Sequence, residues 1–67
     1  MTREMRFFIY LLEHYAEYKN RSAAEIIAEW DRLNLTDFIY NLYEIYHSES
    51  INNAFADIDT LVAERLA

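Results

Sequence analysis

The 67-residue chain contains no cysteine, no glycine and no proline, and six Lys and Arg stand against twelve Asp and Glu. The missing cysteines exclude a disulfide framework, thiol chemistry and any thiolate metal site. Without glycine or proline there is no phosphate-cradling loop, no tight strand hairpin and no proline-rich recognition segment. The net charge of -6 gives the long-range field the wrong sign for non-specific nucleic-acid binding, so no nucleic-acid partner is expected. Long apolar runs are missing too. The longest, Phe7 to Leu12, is followed at once by Glu13 and His14 and falls far short of the roughly 18 residues needed to cross a bilayer. No membrane partner and no secretory signal are expected, and the cytoplasm is the default location.

Apolar and aromatic side chains are plentiful. Hydrophobic residues make up 54% of the chain and aromatic ones 16%, too many for a disordered segment. A chain this short buries only about 60% of its unfolded surface, which limits it to one domain, residues 1–67. Apolar residues recur at three- and four-residue steps, and no segment alternates long enough for a strand. The pattern predicts an all-α bundle of four short helices, at about 3–19, 23–33, 37–47 and 51–66. Thr2 is placed to cap the first, whose expected core stripe is Met5, Phe8, Ile9, Leu12, Tyr15 and Ala16, flanked by Phe7, Leu11, His14 and Tyr18. This helix reads as wetted on a narrow strip only. Ser22 and Glu25 have the spacing of a capping box for the second, with Ala23, Ile26, Ile27, Trp30 and Leu33 facing inward. Asn34 can close that helix in a left-handed conformation, and Thr36 can cap the third, whose stripe reads Phe38, Ile39, Leu42, Ile45 and Tyr46. Ser50 can cap the fourth, with Ile51, Ala54, Phe55, Ile58, Leu61, Val62 and Leu66 inward.

Few residues carry chemistry. His14 with Glu17 and His47 with Glu49 each supply no more than two local ligands, below the three or four converging ones that zinc requires. The expectation is a half-buried core histidine at 14 and a carbonyl-bonded, helix-end histidine at 47. Glu13 with Glu17 and Glu25 with Glu29 lie on solvated helix faces, and Ser22, Ser48 and Ser50 sit at helix ends. No catalytic residue, metal or cofactor is assigned, and no enzyme is expected. The second and third helices could imitate a helix-turn-helix, but the would-be reading helix carries Asp37, Asn41 and Glu44 and no base. Tyrosine is the unusual feature. Six occur, and Tyr10, Tyr40 and Tyr43 fall off the expected core stripes. Such rings either cover the rim of a small core or form a recognition surface. Tyr40, Tyr43, Glu44 and His47 share one side of the third helix and are the candidate partner-binding face.

The order Arg3 to Tyr18, Asn20-Arg21-Ser22-Ala23, then Phe38 through Tyr43 to Tyr46-His47, and finally Asp57-Ile58-Asp59, resembles a family of small bacterial all-helical proteins of unknown function. The resemblance spans nearly the whole chain. It departs from the family pattern at Tyr46, where leucine is usual, and in lacking glycines near Ser22 and Ser48. Members of that family are often encoded beside ADP-ribosyltransferase-like proteins, which implies a toxin-and-antidote arrangement. An acidic module would suit the basic nucleotide-binding cleft of such a partner. The alternative is a self-associating domain, with some of Phe7, Tyr10, Leu11, Tyr40 or Tyr43 buried in a symmetric homodimer.

Overall fold

A computed structural model describes all residues, 1–67, and contains five helices and no strand. These are α1 (Arg3–Lys19), α2 (Ala23–Arg32), α3 (Thr36–Tyr40), α4 (Tyr43–Tyr46) and α5 (Ile51–Leu66). The all-α bundle is as the periodicity predicts. Local chemistry sets most of the ends. The Thr2 hydroxyl accepts from the Met5 amide at 3.0 Å. Ser22 Oγ accepts from the Glu25 amide while Glu25 accepts from the Ser22 amide, completing the capping box. Ser50 Oγ accepts from the Asn52 amide. Asn20 and Asn34 adopt left-handed φ of 56° and 59°, a conformation asparagine tolerates better than most residues that carry a side chain. Past Asn34 the Leu35 amide returns to the Trp30 carbonyl at 2.8 Å, closing α2.

The third predicted helix departs from expectation in three ways. It is two helices, because bonds from the Leu42 amide to Ile39 and from the Ile45 amide to Leu42 are tight three-residue turns that break the four-residue ladder. Thr36 is not its cap. Leu35 holds that position, its wholly buried hydrocarbon side chain having no atom that could accept a cap bond, and the Thr36 hydroxyl donates instead to the Asp31 carboxylate. The inward stripe is also displaced, to Leu35, Ile39, Leu42 and Tyr46, leaving Phe38 46% and Ile45 54% exposed. Aromatic contacts with α1 account for this. The Tyr40 ring meets Phe8 at 5.7 Å and the Tyr43 ring meets Phe7 edge-on at 5.6 Å, so the tyrosines take the flank that Phe38 and Ile45 were expected to fill.

The core comprises Phe8, Leu11, Tyr15, Ala16, Ile26, Trp30, Leu35, Ile39, Tyr46, Ala54, Phe55 and Ile58. Trp30 lies at its centre, with Phe8 at 5.9 Å and Tyr15 at 5.7 Å. Met5 and Ile9, expected inside, are exposed at 39% and 36%, and α1 is wetted more broadly than its pattern suggests. Leu11 is fully buried within its own chain, which removes it from any dimer face. Leu66 is exposed, since α5 has run past the core by its last turn. There Arg65 donates to the Leu33 carbonyl at 2.6 Å, placing a cation on the C-terminal end of α2.

Candidate protein-interaction surface

The break between α3 and α4 divides the four predicted face residues. Tyr40 stays on α3, half-buried, packed against the core through Phe8. Tyr43, Glu44 and His47 continue on and just after α4. The His47 ring stacks on Tyr43 with centroids 4.2 Å apart and planes within 1° of parallel. Its Nδ1 lies 2.6 Å from the Tyr43 carbonyl. A carbonyl can only accept, so Nδ1 carries a proton and donates it in this contact. Glu44 is exposed one position along.

Three residues of α1 extend this pair into a row. Phe7 meets Tyr43 at 5.6 Å and Tyr10 at 6.2 Å, and Tyr10 meets His14 at 4.3 Å. Five rings thus run from His14 through Tyr10, Phe7 and Tyr43 to His47. His14 is exposed here rather than half-buried, because it lies over Tyr10 on the flank of α1 turned away from the core. The spacing Phe7, Tyr10, His14 is legible in the sequence as a single helix face. The hydroxyls of Tyr10 and Tyr43 make no hydrogen bond within the chain, so the row combines apolar area with free donors and acceptors.

The remaining polar clusters are structural. Asp59 accepts from Tyr15 at 2.6 Å, from Lys19 at 3.1 Å and from Tyr18 at 3.3 Å. Asp57 accepts from Tyr46 at 2.6 Å, and Ile58 between the two acids is wholly buried. The Asp57-Ile58-Asp59 segment therefore seats α5 on the core and joins it to α1 and α4. Burial, then the bond to Asp59, pushes the Tyr15 phenol far above its ordinary range, and burial with Asp57 does the same to Tyr46. Burial pushes Asp59 up, but the donors Tyr15 and Lys19 outweigh it and hold the carboxyl below its usual value. Sequence reasoning left Tyr15 and Tyr46 as plain core. Their only advance signal was that a buried phenol needs an acceptor.

An open hollow of about 380 Å³ beside α5 is lined by Tyr46, Glu49, Asn53, Ala56, Asp57 and Thr60. A smaller one, about 190 Å³, lies over Asp31, Asn34, Thr36 and Asp37. Neither contains a histidine, and the Asp57 carboxylate is already engaged by Tyr46. No group of three or more His, Asp or Glu is arranged to hold a metal ion, and no helix is long and apolar enough to cross a membrane.

Comparison with curated proteins and with solved structures finds no match. The family model described as "Protein of unknown function (DUF3791)" matches residues 6–65, which takes in all five rings of the row and both acids of the α5 segment. On that match the chain belongs to the DUF3791 family.

Proposed function

We propose that the chain is a non-enzymatic protein-binding module whose partner face is centred on Tyr43 and His47, with Glu44 and Tyr40 at its margin. The observation that carries this reading is the ring row, in which Tyr43 is held between the Phe7 edge and the His47 face. Rings already fixed by their neighbours lose little conformational freedom when a partner covers them, and their unbonded hydroxyls can meet its polar groups. The partner proposed is an ADP-ribosyltransferase-like protein, neutralised when this module covers its nucleotide cleft. The net charge of -6 supports that choice, since an acidic module is drawn quickly to a basic cleft.

The test is titration calorimetry and transferase inhibition with such a protein, using the wild type and Tyr43→Ala, Tyr43→Phe and His47→Ala variants. Saturable binding with loss of transferase activity is expected. Tyr43→Ala should weaken binding about tenfold or more, roughly 1.4 kcal/mol, while Tyr43→Phe keeps the ring and most of the affinity. Unchanged transferase activity at saturating module would overturn the antidote role. Unchanged affinity in Tyr43→Ala would move the face elsewhere.

A further inference from the structure

The outward stripe of α1 has a charge order that serves no purpose within the chain. Arg3, Arg6, Tyr10, Glu13 and Glu17 follow one another at three- and four-residue steps, so they form one line along the helix. All five are exposed. The two ion pairs of the molecule are Lys19 with Asp59 and Arg21 with Glu29, and neither uses any of the four charged groups in this line. The order also opposes the helix. Two bases sit at its positive N-terminal end and two acids toward its negative C-terminal end, whereas Glu4 and Lys19, off this line, have the favourable order. Within the line each charge has a like-charged neighbour three or four residues away, which disfavours an isolated helix.

The same order is self-complementary. It reads plus, plus, tyrosine, minus, minus, centred on Tyr10. A second copy laid antiparallel would set Arg3 against Glu17 and Arg6 against Glu13, with Tyr10 meeting Tyr10 near the two-fold axis. The net charge of -6 repels two copies at long range, but it is concentrated away from this contact. Four of the six bases but only three of the twelve acids precede Ser22, so the negative charge of the molecule is carried by α2 to α5.

We propose that the Arg3–Arg6–Tyr10–Glu13–Glu17 face of α1 is an isologous dimer interface, and that its occupant is a second copy of this chain packed antiparallel. A single helix pair covers less than the roughly 1,000 Å² of a durable assembly, so the dimer is weak and dissociates on dilution. The inference rests on the charge order of α1; it shares Tyr10 with the ring row, but its test reads the four charged positions and leaves Tyr43 and His47 unchanged.

The experiment is sedimentation velocity on the full chain from micromolar to millimolar concentration, at low and high salt. It is repeated with an Arg3→Glu/Arg6→Glu variant, a Glu13→Arg/Glu17→Arg variant and their equimolar mixture. All four positions are exposed, and circular dichroism checks that helix content is kept. The wild type should move from 8.1 kDa to twice that mass as concentration rises, with at least a tenfold weaker dimer at high salt. Each variant alone should stay monomeric, because its line then has one sign throughout. The mixture should recover a one-to-one dimer. A wild type that remains monomeric at millimolar concentration overturns the proposal, as does a dimer that survives both reversals.

Discussion

Tyr15 and Tyr46 come from different helices and end on carboxylates two positions apart on α5, with Ile58 buried between them. Because Asp57 and Asp59 lie on opposite shoulders of that helix, rotation or slippage of α5 would break both bonds together. Removing one hydroxyl by Tyr15→Phe or Tyr46→Phe should cost about 1–2 kcal/mol, the worth of a hydrogen bond to a charged group discounted for partial exposure. Thermal melts should show this as a drop of several degrees in a domain of this size. The alkaline side gives a sharper check. Both phenols have folded-state pKa values raised above their ordinary 10.0. The stability they contribute is therefore complete below pH 10 and is lost as pH climbs toward the folded values. Tyrosinate absorbance for Tyr15 and Tyr46 should rise only together with loss of far-ultraviolet ellipticity. A late step persisting in the Tyr15→Phe/Tyr46→Phe double variant would contradict the assignment. Asp59 has the opposite sign. Its lowered pKa stabilises the fold above the ordinary carboxylate value and loses that contribution as pH falls through the folded value. Asp59→Asn should therefore trail the wild type at neutral pH and converge with it in acid, as measured by urea midpoints.

Helix ends carry the next layer of specification. Asn20 and Asn34 do the work usually given to glycine, so Asn34→Gly should be neutral or slightly stabilising, while Asn34→Val should cost about 1–2 kcal/mol by forcing a branched side chain into left-handed φ. Denaturant midpoints of the two variants separate these outcomes. Such ends were legible in the sequence because a cap and its amide lie within three residues of each other: Thr2 with Met5, and Ser22 with Glu25. The break at Asn41 and Leu42 was not legible, since no glycine or proline marks it. It is set by where Phe7 and Phe8 of a distant helix receive Tyr43 and Tyr40. The candidate face divides in the same way. Tyr43 and His47 are four apart and stack as helix geometry predicts. That Phe7, Tyr10 and His14 continue the row depends on how α4 crosses α1, which periodicity does not encode. His14 shows the same limit, for its place in the row Phe7, Leu11, His14 and Tyr18 suggested partial burial, and only packing decided which flank of α1 faced inward.

At the scale of the whole molecule the margin is thin. A 67-residue domain is stable by about 3–10 kcal/mol, so one buried, unpaired charge can exceed it. Two isoleucines make the comparison. Both fall on inward stripes by periodicity, yet Ile58 is fully buried between the Asp57 and Asp59 bonds while Ile45 is 54% exposed. Ile58→Asp should abolish the fold, through loss of the transferred side chain and the desolvation of an added carboxylate beside two others. Ile45→Asp should cost less than about 1 kcal/mol, since that side chain is already half in water. Trp30, the one tryptophan, reports both results, because its ring is wholly buried in the folded state and its Nε1 has no hydrogen-bond partner there. Its emission should be blue-shifted and unchanged in Ile45→Asp, and red-shifted to the solvent-exposed value in Ile58→Asp without denaturant. Equal effects from the two substitutions would mean that α4 packs with its sequence-predicted stripe inward. In that case Tyr40 and Tyr43 would be displaced from Phe8 and Phe7, and the ring row would not form.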